Sequence, residues 1–373
     1  MNGSPACEST TVAALLTPAG RGAVAVVRVR GPGAAAAVAD RFQPAASRPI
    51  ADTPVGRIAF GRWCCDVDSP AEELIVVRRD VDEWEIHGHG GPAAVAVVLR
   101  SLEHSGCRIA SWREALASQH DDPSVVEAFE ALADAATTRT AAIALDQTTG
   151  ALTRALEDIR ALQTSGAQGE ARRRRDRLLA LSAAGRYVRR PAKVALVGRP
   201  NVGKSSLLNA LVGYRRAIVF DEPGTTRDVV GAPAVFDGWP IELLDTAGLR
   251  DAGDALEAEG IERARRLIAE ADLVLLVCDA SLPWTDDDRR RCAELPQAII
   301  VHNKTDLRPA TDDRPPGVDV SARSGAGLVE LMRTIVAALV PDPPQAGEGV
   351  PLTDRQTALV RRSIPDDLAP TTG

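Results

Sequence analysis

The feature that most constrains the fold of this chain is an apolar run followed at once by a glycine-rich loop. Lys193–Val197 is apolar after its first residue, and the sequence Gly198-Arg-Pro-Asn-Val-Gly-Lys-Ser205 follows directly. This order predicts a buried strand, a tight turn and the start of a helix, the arrangement of a phosphate-binding loop (P-loop). Such a loop directs backbone N–H groups and a helix N-terminus at phosphate. The chain is therefore expected to contain a parallel α/β sheet with a nucleotide site at its edge.

The P-loop also supplies two side chains with defined chemistry. Lys204 carries the charge that meets the β- and γ-phosphates, and the Ser205 hydroxyl is a predicted Mg²⁺ ligand. The residues predicted to contact the nucleotide from this loop are Gly198, Asn201, Val202, Gly203, Lys204, Ser205 and Ser206.

Two further polar turns downstream have the composition of elements that sense a γ-phosphate. The first is Gly224-Thr-Thr-Arg-Asp228, in which Thr226 is the candidate second hydroxyl ligand of Mg²⁺. The second follows the apolar run Ile241–Leu244, where Asp245 can reach Mg²⁺ through water and the Gly248 N–H can bond the γ-phosphate. Loss of that phosphate would release both turns, as in nucleotide-dependent switches.

A last element predicts which base is bound. The apolar run Ala298–Val301 leads into Asn303-Lys-Thr-Asp306, and a carboxylate at Asp306 can accept from the adjacent N–H and amino groups of guanine. Adenine lacks that pair of donors, so the element selects GTP over ATP. Ser321 and Ala322, after the run Val318–Val320, are predicted to support the base.

Hydrolysis needs a group that orients water, and the usual position does not supply one. In many GTPases a glutamine follows the turn that contains Gly248, but here the residue is Leu249. Another residue must position the water, or hydrolysis is slow.

Together these motifs resemble the MnmE (TrmE) family of tRNA modification GTPases, which act on the wobble uridine. The N-terminal third resembles the same family through Thr17–Pro32 and Glu85-Ile-His-Gly-His-Gly-Gly-Pro92. The resemblance implies a glutamate that positions water, matched here by Glu257, and a K⁺ ion in place of an arginine finger. The residues that would surround K⁺ by this resemblance are Asn201, Phe220, Glu222 and Thr225. The alternative for Glu257 is an acidic residue that opens a helix, where it suits the dipole.

The resemblance further implies a one-carbon folate pocket in the N-terminal domain, with Arg28 and Glu85 as candidate ligands. Two stretches depart from the family at that pocket, Arg78–Glu83 and Ala110–Ala117, which puts folate binding in doubt. His87 and His89 could suggest a metal, but a glycine-rich turn between a strand and a helix is the favoured interpretation.

The family also implies partners: a second copy of the chain, a MnmG-like FAD protein, and tRNA. The family's Cys-x-Gly-Lys tail has no counterpart, since no cysteine follows Cys292. Three functions therefore stay open: a component of wobble-uridine modification, a GTPase switch without modification activity, and a ribosome-assembly GTPase. The third predicts a basic RNA-binding appendage, and none is evident.

Composition limits the setting in which the chain works. The net charge is −7 with both signs interspersed, so no global basic field for nucleic acid exists. The six cysteines show no zinc-type spacing and suit a reducing compartment. No apolar run is long enough to span a membrane, and the start of the chain does not have the pattern of a signal peptide. A cytoplasmic protein is expected.

The predicted organisation is a multidomain α/β chain. It comprises an α+β N-terminal domain (1–110), a shortened all-α domain (111–190 and 341–373), and an inserted P-loop GTPase domain with a mostly parallel sheet (191–340). Strands are predicted near 12–16, 24–29 and 74–77, with helices at 33–42, 92–104, 151–162 and 325–339. The basic run Arg172–Arg177 is either a tRNA backbone contact or, as favoured, a solvated helix face.

Overall fold

A computed structural model gives the structure of the chain and describes residues 10–18, 20, 22–46, 49–64, 71–214, 231–245, 265–307 and 314–364. The chain divides into two units, Met1–Val126 and Glu127–Gly373. This architecture, with an α+β unit followed by helices and a P-loop domain, confirms the predicted fold class. The finer division into domains at 110, 190 and 340 remains a prediction.

The first unit is built on one seven-stranded sheet in the order β3-β4-β5-β6-β2-β1-β7. The described neighbours pair antiparallel except β1 and β7, which pair parallel. Its elements are β1 (Val12–Leu15), β2 (Val24–Arg30), α1 (Ala34–Arg41), β3 (Phe42–Pro44), a 3₁₀ turn (Ile50–Asp52), β4 (Ile58–Trp63), β5 (Glu72–Asp80), β6 (Glu83–His89), α2 (Pro92–His104), β7 (Arg108–Ala110) and α3 (Trp112–Ala117).

The core of this unit lies on one face of the sheet. Alternate residues of β2 and β6, such as Val27, Val29, Trp84 and Ile86, are buried in one cluster with residues of α1 and α2. The alternation follows from the two-residue period of a strand. The glycine-rich turn predicted between a strand and a helix lies at Gly90 and Gly91, between β6 and α2. His87 and His89 themselves belong to the end of β6, where they pair with Val26 and Val24 of β2.

The second unit contains a six-stranded sheet in the order β13-β12-β11-β8-β10-β9. Its strands are β8 (Ala192–Val197), β9 (Gly231–Phe236), β10 (Trp239–Asp245), β11 (Leu273–Asp279), β12 (Ile299–Asn303) and β13 (Val318–Asp319). Only the β9–β10 pair is antiparallel among these strands. Val194, Ala195 and Leu196 of the central strand are all fully buried, as expected for a parallel sheet covered on both faces.

The helices of the second unit are α4 (Pro123–Ala133, which contains the boundary between the units), α5 (Thr138–Thr148), α6 (Ala151–Thr164), α7 (Gln168–Arg189), α8 (Lys204–Gly213), α9 (described over 265–270), α10 (Asp286–Glu294), α11 (Leu328–Leu339) and α12 (Asp354–Arg362). The predicted helix at 325–339 therefore begins three residues later, after two glycines with positive φ. No helix in the described part of the chain is long and apolar enough to cross a membrane.

The hairpin that carries Asp245 is held at its tip by the start of α5. The Thr137 hydroxyl donates to the Gly238 carbonyl at 2.6 Å, and the Arg139 guanidinium bonds Asp237 at 3.3 Å. Arg139 also lies 6.0 Å from the ring centre of Trp239. These contacts fix the turn between β9 and β10, and with it the strand that ends at Asp245.

The basic run on α7 is paired within the protein. Arg174 bonds Asp158 at 3.2 Å and Glu170 at 3.2 Å, and Arg177 bonds Glu348 at 2.7 Å. Because neighbouring carboxylates compensate these charges, the helix-face interpretation is favoured over a surface that binds tRNA phosphates.

Candidate nucleotide-binding site

The P-loop lies at the point where the strand order of the second sheet reverses. The strand β8 lies between β10 and β11, and the loop leaves its carboxyl end, the position at which such sheets bind ligands. Gly203 precedes α8 with φ of 92°, and a Cβ there would lie 2.5 Å from the Asn303 amide nitrogen. Only glycine fits this position, since the φ and the close approach both exclude a side chain. The N-terminus of α8 is thereby set at the end of the loop.

Lys204 is buried along the loop that precedes it. Its ammonium donates to the Gly198 carbonyl at 3.0 Å and to the Arg199 carbonyl at 2.9 Å. The positive charge therefore lies inside the loop curve, where phosphate oxygens bind in this motif.

The candidate magnesium ligands Ser205 and Asp245 come together. The Ser205 hydroxyl donates to an Asp245 carboxylate oxygen at 2.6 Å. Parallel pairing explains this geometry, because β10 runs beside β8 and Asp245 is aligned with Leu196, two residues before the loop. Hydroxyl and carboxylate oxygens are the ligands that Mg²⁺ prefers.

Asn303 joins the base-selecting turn to the P-loop. It is almost completely buried at the end of β12, and its amide nitrogen donates to the Val202 carbonyl at 3.0 Å. Its amide oxygen accepts from the Ala322 N–H at 3.1 Å. One side chain therefore holds three predicted segments of the site in register.

The carboxylate of Asp306 is exposed but oriented. The Ser321 hydroxyl donates to one of its oxygens at 2.7 Å and itself accepts from the Ser324 N–H at 3.1 Å. Ser321 is buried, so it acts as a fixed donor that directs Asp306.

The sequence did not indicate Asp279, which the structure places in this site. Lys304 donates to its carboxylate at 2.7 Å and to the Asn201 carbonyl at 2.7 Å. Burial opposes ionisation of Asp279, but the bonds from Lys304 and Ser281 outweigh it and lower the pKa of the carboxyl below its ordinary value. The available signal was an acidic residue at the carboxyl end of β11, next to the strand-order reversal.

Arg199 of the P-loop is likewise held by residues not predicted for the site. Its guanidinium lies 3.1 Å from the buried Asp288 carboxylate and donates to the Thr285 hydroxyl at 3.4 Å. Thr285 and Asp288 form the capping box of α10, so this helix start anchors the loop.

The predicted residues that the structure brings together are Gly198, Asn201, Val202, Gly203, Lys204, Ser205, Asp245, Asn303, Lys304, Asp306, Ser321 and Ala322. Ser206 lies in the first turn of α8 and is exposed. The predicted residues that lie outside the described part of the chain are Phe220, Glu222, Thr225, Thr226, Gly248 and Glu257.

A second polar cluster, in the first unit, contains the candidate folate ligands; we call it the Arg28–Glu85 cluster (Arg28, Glu83, Glu85, His87 and Gln119). The Arg28 guanidinium donates to Glu85 at 3.0 Å and to the Gln119 side chain at 3.3 Å, and its Nε lies in an ion pair 3.2 Å from Glu83 without a hydrogen-bond geometry. His87 lies 3.3 Å from the second Glu85 oxygen. Burial works against ionisation of Glu85, but Arg28 and the nearby Arg79 hold its pKa below the ordinary value.

Each of the two units contains a segment that matches a known protein family. Residues 11–114 match the family model of the GTP-binding protein TrmE N-terminus, and residues 193–304 match that of 50S ribosome-binding GTPases. The tRNA modification GTPase MnmE of Synechococcus sp. (strain RCC307) is 36% identical, over 89% of this chain and 82% of the relative. The chain belongs to the MnmE family. The resemblance predicted from the sequence is confirmed, and with it the assignment as a GTPase.

Other members of the MnmE family match nearly the whole chain. The Moorella thermoacetica protein is 35% identical over 92% of this chain and 84% of its own length. The Nitratidesulfovibrio vulgaris (Hildenborough) protein is 34% identical over 96% and 89%. Among solved structures, the G domain of the T. maritima FeoB iron transporter is 33% identical, covering 39% of this chain and 98% of its own, with a TM-score of 0.30.

Proposed function

We propose that this chain binds and hydrolyses GTP and acts in the modification of tRNA at the wobble uridine. The observation that carries the GTPase part is the Asn303 side chain, which bonds the Val202 carbonyl of the P-loop and the Ala322 N–H. This contact sets the phosphate-binding and base-selecting elements at a fixed separation. The tRNA part rests on the relatives, which are named tRNA modification GTPases.

The phosphates would bind at the P-loop and at the start of α8. Lys204 lies within the loop and would exchange its bonds to the Gly198 and Arg199 carbonyls for bonds to the β- and γ-phosphate oxygens. The N-terminal N–H groups of α8 add donors at the same place. The Gly248 N–H is the proposed donor to the γ-phosphate.

The residues at this site fit Mg²⁺. Ser205 and Asp245 already place two oxygens 2.6 Å apart, and Thr226 is the proposed further hydroxyl ligand. When bound, Mg²⁺ neutralises the negative charge that develops on the phosphate oxygens.

Guanine would be selected by Asp306. Its carboxylate, held by Ser321, accepts from the two adjacent donors of guanine. Adenine presents a lone pair where guanine presents one of those donors and has no amino group at the other position, so it gives the carboxylate no donor and faces it with a repulsive lone pair.

For hydrolysis, we propose that Glu257 orients the attacking water and that K⁺ is held near Asn201, Phe220, Glu222 and Thr225. Asn201 fits this role. Its carbonyl is taken by Lys304, and no described residue bonds its side-chain oxygen. In matched K⁺ and Na⁺ buffers we expect GTP hydrolysis to be faster in K⁺, and Asn201→Ala to lose the difference but still bind GDP. Equal wild-type rates in the two salts would contradict the K⁺ part.

Folate fits poorly at Arg28 and Glu85. The Arg28 guanidinium is occupied by two carboxylates and an amide, and both oxygens of Glu85 face cationic or histidine partners. Neither side chain is available to a pterin or a glutamate tail without breaking these contacts. We therefore propose that the first unit serves assembly rather than folate chemistry.

A second copy of the chain is the proposed partner of the first unit. The sheet face opposite α1 and α2 exposes Ile58 (69%), Phe60 (53%) and Ile75 (38%), and Phe60 is directly paired with Ile75. Contiguous exposed apolar side chains of this kind mark interaction surfaces. Analytical ultracentrifugation tests this proposal. We expect the wild type to sediment as a dimer and Phe60→Glu as a monomer, and a monomeric wild type would refute the proposed dimer.

We further propose a MnmG-like FAD protein and tRNA as the other partners, and accordingly a cytoplasmic location. Deletion of the gene in its host should remove the modified wobble uridines from bulk tRNA, measured by mass spectrometry of nucleosides. Wild-type protein should restore them and Lys204→Ala should not. Unchanged nucleosides after deletion would separate this chain from tRNA modification while leaving its GTPase activity in place.

A further inference from the structure

Asp279 ends β11 in the middle of the parallel sheet, and its side chain is only 5% exposed. Both of its carboxylate oxygens are used inside the protein. One oxygen accepts from Lys304 at 2.7 Å, and the other accepts from the Ser281 N–H at 2.9 Å and its hydroxyl at 2.6 Å. The carboxylate is thus held in one orientation, and the partner that links it to the P-loop is Lys304.

Lys304 connects Asp279 to the P-loop. The same ammonium that pairs with Asp279 donates to the Asn201 carbonyl at 2.7 Å. A lysine ammonium is carried on a flexible four-carbon chain and is strongly hydrated. A hydrogen bond to one carbonyl therefore does little to hold it in a single position. A fixed, mostly buried carboxylate is what confines this ammonium to the position that reaches the loop.

The backbone at both ends of this contact is in an unfavourable conformation. In the described part of the chain, the non-glycine residues with positive φ are Asn201 (62°), Asp237 (45°) and Lys304 (67°). The Lys304 side chain therefore joins two of these three positions. Such conformations persist only where surrounding contacts hold them, and they concentrate at ligand sites.

We infer that Asp279 is a positioning residue for guanine nucleotide binding. Through Lys304, it holds the P-loop at Asn201 in register with the turn that carries Asp306. The inference rests on the proposed GTPase function and goes beyond it, because Asp279 contributes to affinity without touching the nucleotide. Removing the carboxylate frees the ammonium, and the loop and the turn then lose their common anchor.

The test is the dissociation rate of a fluorescent GDP analogue (mant-GDP) from the full chain, measured by stopped flow. Asp279→Ala should release mant-GDP about ten- to a hundredfold faster, the range expected for loss of a charged hydrogen bond. Asp286→Ala is the matched control, since that carboxylate is fully exposed on α10, and its rate should equal the wild type. An unchanged rate in a folded Asp279→Ala protein, judged by its melting temperature, would overturn the inference.

A double-mutant cycle separates positioning from a general loss of packing. In a Lys304→Met background, Asp279→Ala should change the dissociation rate by less than about twofold, because the two residues act as one unit. Asp279→Glu should recover part of the slow dissociation, while Asp279→Asn, which lacks the charge, should recover less. If the two substitutions instead change the dissociation rate independently, so that their fold-changes multiply, Asp279 does not act through Lys304. Failure of wild-type protein to bind mant-GDP would instead refute the proposed function.

Discussion

The nucleotide site and the Arg28–Glu85 cluster both bring charged side chains together, but they use those charges in opposite ways. Around the P-loop, Lys204, Asn303 and Lys304 donate to main-chain carbonyls of the loop. A loop whose carbonyls are held from one side keeps its N–H groups for an anion on the other. The site is therefore organised but still able to bind phosphate.

In the Arg28–Glu85 cluster the charges bond one another. Arg28 meets two glutamates, and Glu85 meets Arg28 and His87. Little charge is left for a ligand, so we expect the cluster to stabilise the sheet instead. The comparison indicates that the partner of each charge, more than the number of charges, distinguishes a binding site from a structural one.

The largest effect is expected at the exposed end of the nucleotide site. Asp306→Asn should weaken GTP binding about 100-fold or more, because the amide cannot accept both guanine donors. Xanthosine triphosphate should bind better to this variant than to the wild type, since its base has a carbonyl where guanine has the amino group. Equilibrium titration with the mant-labelled nucleotides measures both changes. Asp286→Asn should leave both affinities unchanged, and a variant that keeps its GTP affinity would contradict this account of the site.

In the Arg28–Glu85 cluster, the same kind of truncation should reduce stability rather than binding. Arg28→Ala leaves Glu83 and Glu85 without their shared cation and should lower the free energy of unfolding by about 2 kcal/mol. Arg62→Ala is the control, because its pair with Glu73 is exposed and 3.9 Å long, and should cost less than about 0.5 kcal/mol. Urea unfolding of the full chain, followed by tryptophan fluorescence, gives both values. If the two variants lose the same free energy of unfolding, the Arg28–Glu85 cluster stabilises the protein no more than an exposed ion pair does.

A smaller effect should appear with pH. The pKa of Glu85 is lowered in the folded protein, so its contribution to stability is complete above the ordinary carboxyl pKa. That contribution is lost as pH falls from the ordinary pKa through the lowered pKa of the folded state. The difference in unfolding free energy between wild type and Glu85→Gln should therefore shrink from pH 6 to below about 4, where unfolded glutamates protonate. Because the glutamine of the variant carries no charge at any pH, a difference that stays constant over this range would show that the charge of Glu85 is not used.

The last expected result is the absence of an effect. Calorimetric titration of the full chain with 5-formyltetrahydrofolate should give no saturable heat, because Arg28 and Glu85 satisfy each other. Titration with GDP in the same buffer is the positive control. Saturable folate binding that Arg28→Ala removes would show that the cluster opens for a ligand after all.

The sequence predicted the parts of the site whose function requires a fixed motif. Gly203, Lys204, Asn303 and Asp306 were found because phosphate and guanine need those groups at those spacings. Asp279 was missed because its role depends on the position of Lys304 in space, which no local pattern records. An acid at the end of one strand is common, and only the parallel pairing of β11 with β12 gives it a partner.

The fold shows the same division between local and non-local information. The alternating or continuous apolar runs at β2, β8 and β10 predicted strands correctly. The glycine-rich segment Glu85–Pro92 predicted a turn between a strand and a helix, and that turn lies at Gly90 and Gly91. Where the strand ends was not predictable locally, because the pairing with β2 extends β6 through Gly88 to His89 despite the low strand propensity of glycine.

The contact between Gly203 and Asn303 links two motifs that lie 100 residues apart in the chain. A side chain at the first position would collide with the second, and a larger residue at the second would strike the loop. Neither residue can therefore be replaced by a larger one without a change at the other. A chimera that takes its phosphate loop from one protein and its base-reading turn from another should fail unless both residues are inherited together, so recombination would have to treat the two motifs as a single gene segment.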